Sequence, residues 1–156
     1  MDRIWAPWRK AYISVKKKRG CIFCRYKSGR ISERKSLVLR RSTHALCILN
    51  RFPYNNGHVM VAPKRHVKSL ELLKKEELAD FMDLLNAMKR RSDKALKPDG
   101  YNIGMNLGKV GGAGFPGHVH AHIVPRWNGD TNFMPVIAST KVIAYSLDDM
   151  WNLLKG

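Results

Sequence analysis

His118-Val119-His120-Ala121-His122-Ile123-Val124-Pro125-Arg126 decides the reading of this chain. Three of its six histidines fall within five residues at strict alternation. Side chains on a strand alternate faces. A strand here puts all three imidazoles on one face and sends Val119, Ala121 and Ile123 into a core. Imidazole titrates near ~6.5 in the unperturbed state, so it serves as base, acid, nucleophile or metal ligand near neutral pH.

Working outward, Gly108 to Gly117 holds five glycines and leads into the histidines. Glycines let backbone N–H groups crowd toward an anion, which favours a phosphate ligand over a plain hairpin loop. The spacing is neither a P-loop nor a dinucleotide fingerprint. Further upstream, Tyr101 to Leu107 reads as a strand weakened by Gly104. His44–Leu49 and His58–Ala62, the latter closed by Pro63, flank the turn residues Asn55-Asn56-Gly57 and predict a hairpin. Ser36–Leu39 reads as a short strand. From Lys75 onward, Leu78, Phe81, Met82, Leu85 and Met88 make one apolar stripe at helical spacing, and Lys97-Pro98-Asp99-Gly100 stops that helix. Asp130–Pro135 reads as loop. Ser146-Leu147-Asp148-Asp149 matches a capping box, predicting a short C-terminal helix to Leu154. Antiparallel strands with one long helix on a face make an α+β fold. The 156 residues suit a single domain. Its divisions are an arm and knuckle over 1–35, a core over 36–127 and a C-terminal extension over 128–156.

Charge and cysteines bound the partners. The 29 Lys+Arg against 12 Asp+Glu give a net charge of +17. Such a surface attracts polyanions without naming one. No 18-residue apolar run is present, and Met1-Asp2-Arg3-Ile4-Trp5 lacks a signal-peptide core. The expectation is a cytoplasmic protein without a membrane partner. Three cysteines without a secretory signal argue against a disulfide framework. Cys47, inside Ala45-Leu46-Cys47-Ile48-Leu49, reads as a small buried hydrophobe. Cys21-Ile22-Phe23-Cys24 is either two plain thiols or half of a zinc knuckle. A knuckle needs two more ligands, and His66 after Pro63-Lys64-Arg65 and His118 are available.

His118-Val-His120-Ala-His122-Ile-Val resembles the signature of the histidine triad (HIT) family. Leu49-Asn50-Arg51-Phe52-Pro53, Gly57-His58, the long helix and Gly104-Met105-Asn106 extend the likeness over about Ser42 to Arg126. Trp5-Ala-Pro-Trp8-Arg9, Gly112-Ala113-Gly114, Pro125-Arg-Trp127 and Gly129-Asp-Thr-Asn-Phe133 are similar to the bacterial branch related to diadenosine tetraphosphate phosphorylases and hydrolases.

The resemblance implies a HIT-like antiparallel sheet, a homodimer and nucleotidyl transfer from dinucleoside polyphosphates. It makes His120 the nucleophile and His122 the group that assists the leaving phosphate. Asn50 is then the ribose contact. Asn106 and the amides of Gly112, Ala113 and Gly114 are phosphate-side contacts, and His58 supports the triad. It also implies a structural zinc on Cys21, Cys24, His66 and His118, with magnesium arriving on the nucleotide. Two other readings are a hydrolase whose triad holds a catalytic zinc, and a basic HIT protein that removes adenylate from nucleic-acid ends. Nothing in the chain resembles the extra nucleic-acid-binding finger of the latter.

Overall fold

The computed structural model describes residues 20–138 and 140–155. The tryptophan pair Trp5 and Trp8 and most of the 1–35 arm lie outside them. Five antiparallel strands form one sheet: β1 (Val38–Arg41), β2 (Ala45–Leu49), β3 (Val59–Pro63), β4 (Gly100–Met105) and β5 (Ala121–Arg126), in the order β1-β2-β3-β5-β4. The expected hairpin is β2–β3, with Cys47 opposite Val61. Among the described residues the α-helices are α1 (Ile22–Tyr26), α2 (Glu33–Ser36), α3 (Lys75–Leu96), α4 (Met134–Ala138) and α5 (Leu147–Lys155). This is the expected α+β architecture, with one long helix and a short C-terminal helix. No helix among the described residues is long and apolar enough to cross a membrane.

β2 and β3 are buried at every position, because the sheet is covered on both faces. Alternation divides their side chains. Ala45, Cys47, Leu49, Val59, Val61, Ala121 and Ile123 pack against Phe81, Leu84, Leu85 and Met88 of α3, with Met150 and Leu154 of α5. Leu46, Ile48, Met60 and Ala62 turn the other way and cluster with Phe23 of α1. His122 stands opposite Met60 in the β3–β5 ladder, so it belongs to this second face. Cys47 is fully buried as expected, and burial alone pushes its thiol far up.

Local signals account for the helix ends. Glu77 accepts the Lys74 N–H at 2.9 Å at the start of α3, and Lys97 closes it in the left-handed region at φ 46°. In α5 the capping box is reciprocal: the Asp149 N–H donates to Ser146 Oγ at 3.1 Å, and the Ser146 N–H donates to Asp149 Oδ2 at 3.2 Å. Gly57 has φ 73°, and a Cβ there would fall 2.4 Å from Leu96 Cδ1. Gly57→Ala is expected to cost about 1–3 kcal/mol, from left-handed strain plus that clash. The urea unfolding midpoint measures it, and an unchanged midpoint contradicts the close packing.

Four expectations are corrected. Ser36 does not begin a strand. It ends α2, its Oγ donating to Ser32 O at 2.9 Å, and Leu37 then turns left-handed at φ 59° before β1. Leu78 and Met82 lie on the edge of the α3 stripe and are 39% and 42% exposed, whereas Leu84 is 3% exposed and fills the core. The stretch after Asp130 is not all loop, since Asn132 Oδ1 caps the Met134 N–H at 2.9 Å to start α4. The triad segment is strand only from Ala121. The β3–β5 ladder stops at Val61↔Ala121, and before it the chain is tied through Val119 N–H to Val67 O at 2.7 Å. Val119 is nonetheless buried, at 2% exposed.

Candidate active site and metal centre

His118 and His120 are 1% and 2% exposed. Each is oriented by a main-chain carbonyl. Nε2–H of His118 donates to Pro63 O at 2.7 Å, which leaves Nδ1 as a bare lone pair. That Nδ1 lies 3.1 Å from Cys21 Sγ and 3.1 Å from His66 Nδ1. Cys24 Sγ lies 3.2 Å from His66 Nδ1. The four donor atoms of Cys21, Cys24, His66 and His118 all fall within 4.8 Å of one another. No cysteine among the described residues is in a disulfide. Two thiols and two imidazole nitrogens converging on one point suit a tetrahedral soft divalent metal. The Pro63 carbonyl supplies the outer contact that fixes the ligand's tautomer. The structure thus brings together the four residues that the sequence offered for a knuckle.

His120 is wired the opposite way. Its Nδ1–H donates to His118 O at 2.8 Å, so Nε2 carries the free lone pair. Burial lowers its pKa, against the opposing effect of that carbonyl, and keeps the ring a free base below its ordinary titration range.

His122 is set by a line that begins at a peptide bond. The Tyr54 N–H can only donate, and it meets His58 Nδ1 at 3.0 Å. His58 must then carry its proton on Nε2, which faces His122 Nδ1 at 2.9 Å. A neutral His122 therefore holds its own proton on Nε2. Asn50 adds Nδ2 at 3.3 Å to His58 Nδ1, while its Oδ1 accepts the Phe52 N–H at 2.9 Å. The Tyr54 ring lies 4.7 Å from His58, tilted by 36°, and stacks at 6.0 Å from His122.

Burial, reinforced by the neighbouring rings, pushes His58 down to about 3 and His122 down to about 4. Both are neutral at pH 7. In the unfolded chain each titrates near ~6.5, so below that pH only the unfolded chain takes up the protons. Stability from these groups is present above pH 6.5 and is lost as pH falls toward the folded values. His58 is expected to contribute a loss of about 1.4 kcal/mol per pH unit below ~6.5, with a smaller, solvent-screened share from His122. Urea midpoints from pH 7 to 5 measure the slope, and a flat profile contradicts a neutral buried pair.

The glycine loop runs from Leu107 toward the triad. Gly108 and Gly112 adopt φ 71° and 84°, which side chains resist. Asn106 Nδ2 donates to Gly112 O at 3.3 Å and ties the loop's two arms. Two of the three amides read as phosphate contacts are engaged within the loop: Gly112 N–H donates to Lys109 O at 3.1 Å and Ala113 N–H to Gly108 O at 3.2 Å.

The sequence reading missed Phe23, Phe115 and Tyr54. Their roles depend on which elements meet, and local spacing carries no trace of that.

The chain matches the HIT domain over residues 32–129. It is 35% identical over 161 aligned residues to the AP-4-A phosphorylase of Mycobacterium tuberculosis, covering 99% of this chain and 83% of that protein. It is 34% identical to an adenosine 5'-monophosphoramidase of Schizosaccharomyces pombe, covering 69% of this chain and 75% of the relative. Among solved structures, a Zn-bound histidine triad family protein from Mycobacterium smegmatis superposes with a TM-score of 0.68 at 28% identity, covering 87% of this chain and 91% of that one. This chain belongs to the histidine triad family, whose fold and triad its own residues reproduce.

Proposed function

We propose that this protein is a nucleotidyl hydrolase or transferase acting on dinucleoside polyphosphates of the diadenosine tetraphosphate type. The observation that carries the reading is the His120–His118 carbonyl bond, which leaves Nε2 of His120 with a free lone pair in a neutral ring. In the first displacement that lone pair attacks an α-phosphorus. The bond to the bridging oxygen breaks, and a nucleoside polyphosphate leaves. Nε2–H of His122 hydrogen-bonds the departing oxygen. In the second displacement water or phosphate takes the nucleotidyl group and restores His120. Asn50 is the ribose contact and His58 supports His122; Asn106 and the Gly112-Ala113-Gly114 segment hold phosphate oxygens, for which the Gly112 and Ala113 amides exchange their bonds to Lys109 O and Gly108 O. Magnesium on the nucleotide is compatible with this scheme. The four-residue knuckle holds a structural zinc and leaves no ligand position for water.

β4 supports a homodimer. It is an outer strand whose Asn102, Ile103 and Gly104 are exposed, and an open edge of this kind pairs readily with a second copy. The basic composition and the family suit a cytoplasmic, nucleotide-handling role.

Product analysis tests the reaction. With diadenosine tetraphosphate, water as acceptor gives AMP plus ATP, and phosphate as acceptor gives ADP plus ATP. No turnover of any dinucleotide, with or without phosphate, overturns the proposed substrate class.

A further inference from the structure

We propose that Phe23 is a positioning residue for the His120 ring and couples it to the metal knuckle. This rests on the reading of His120 as nucleophile. Phe23 lies between the two cysteine ligands, in Cys21-Ile22-Phe23-Cys24, and is fully buried. Its ring centroid is 5.0 Å from that of His118, tilted by 50°, and 5.0 Å from that of His120, tilted by 38°. Phe115, from the glycine loop, meets the same ring edge-on at 5.9 Å. One side chain therefore touches the metal-ligand histidine, the nucleophile and the loop.

The geometry explains why such a wall is needed. The carbonyl of His118 fixes which nitrogen of His120 is bare, but a single hydrogen bond still lets the imidazole rock about it. A rigid ring packed against the imidazole at contact distance removes that freedom. Productive attack needs the nucleophile aligned within a fraction of an ångström, and a misplacement of about 1 Å costs on the order of 100-fold. Phe23 itself is held by the apolar cluster of Val38, Leu46, Ile48, Met60 and Ala62. It sits in a helix of only 5 residues, α1, which has Cys21 as its N-cap and contains Cys24. A five-residue helix is not self-supporting, so metal loading and nucleophile alignment are linked through this ring.

The test compares Phe23→Leu with Ile48→Ala, a substitution in the same buried cluster that removes no aromatic ring. Metal content is measured for each. Phe23→Leu is expected to keep one zinc per chain, to leave KM within about twofold, and to lower kcat by about 10-fold to 100-fold. Ile48→Ala is expected to lose stability while kcat stays close to the wild type. A second readout needs no substrate. In the wild type, ¹⁵N signals of the His120 ring are expected to show one protonated and one bare nitrogen. In Phe23→Leu, and in wild type stripped of metal with a chelator, they are expected to keep that pattern and to broaden as the ring rocks. Unchanged His120 signals in Phe23→Leu, or a kcat loss no larger than that of Ile48→Ala, overturn the positioning role. Broadening in Phe23→Leu without any on metal removal overturns the coupling. If the wild type turns over no dinucleotide, the reaction proposed above fails, and the ring signals still decide the part played by Phe23.

Discussion

His120→Ala is expected to lower turnover of a dinucleoside polyphosphate by at least about 10⁴-fold while leaving one zinc per chain. The expectation follows from how the three imidazoles are divided. His118 turns its free nitrogen toward two thiols and His66. His122 receives a proton-bearing nitrogen from His58. Only His120 combines a lone pair on Nε2 with a neutral buried ring. Removing it deletes the covalent path and leaves the other two groups in place, so direct attack by water on an intact polyphosphate is the only route left. His122→Ala is milder in this scheme, because it removes a hydrogen bond to a leaving group and not the bond-forming atom. Initial rates together with elemental analysis make the measurement. Loss of metal along with activity in His120→Ala points instead to a triad that holds a catalytic metal.

Cys24→Ser is expected to release the metal and lower the thermal midpoint by about 10 °C or more. Where a structural metal is bound by the folded chain only, its binding free energy is folding free energy. For a chain of this size each kcal/mol moves the midpoint by about 2–4 °C, so a loss of several kcal/mol gives the stated shift. The local structure supplies little of its own. Helix α1 has 5 residues, and its N-cap Cys21 makes no side-chain capping bond. What holds it is Phe23 on one side and the ligand cluster on the other. A chelator added to the wild type gives the same shift in the same assay. A metal-free wild type of full stability would instead mean that Cys21 and Cys24 are two plain thiols near two histidines.

Much of this was legible in the sequence, and the reasons are physical. The hairpin, the long helix and the C-terminal helix were written in local signals: period-two runs, a 3.6-residue stripe, and turn and capping residues. The alternation of the histidines set the imidazoles apart from Ala121 and Ile123, which fill the core, even though regular pairing starts only at Ala121. The knuckle was legible as a Cys pair in need of two more donors, with His66 and His118 as candidates, and the fold brings those four donor atoms within 4.8 Å of one another. Other features were not local. Whether Leu78 or Leu84 faces the sheet depends on how α3 is rotated, because both fit the same period. The start of β1 depended on Ser36 spending its hydroxyl on Ser32 and Glu33. The proton positions of the triad came from Pro63, His118 and Tyr54 main-chain groups, and a backbone atom has no letter in the sequence.

The carbonyl of His118 has a consequence that grows as bonds change. Before the reaction it accepts from a neutral imidazole. In the proposed transfer, Nε2 of His120 takes on phosphorus while Nδ1 keeps its proton, so the ring becomes an imidazolium. The same contact then turns from a neutral hydrogen bond into a charge-assisted one, which is roughly twice as strong. An interaction stronger in the transition state than in the ground state accelerates the chemical step. A peptide oxygen that looks like a mere holder of ring orientation is thereby a stabiliser of developing positive charge, and no side-chain substitution removes it.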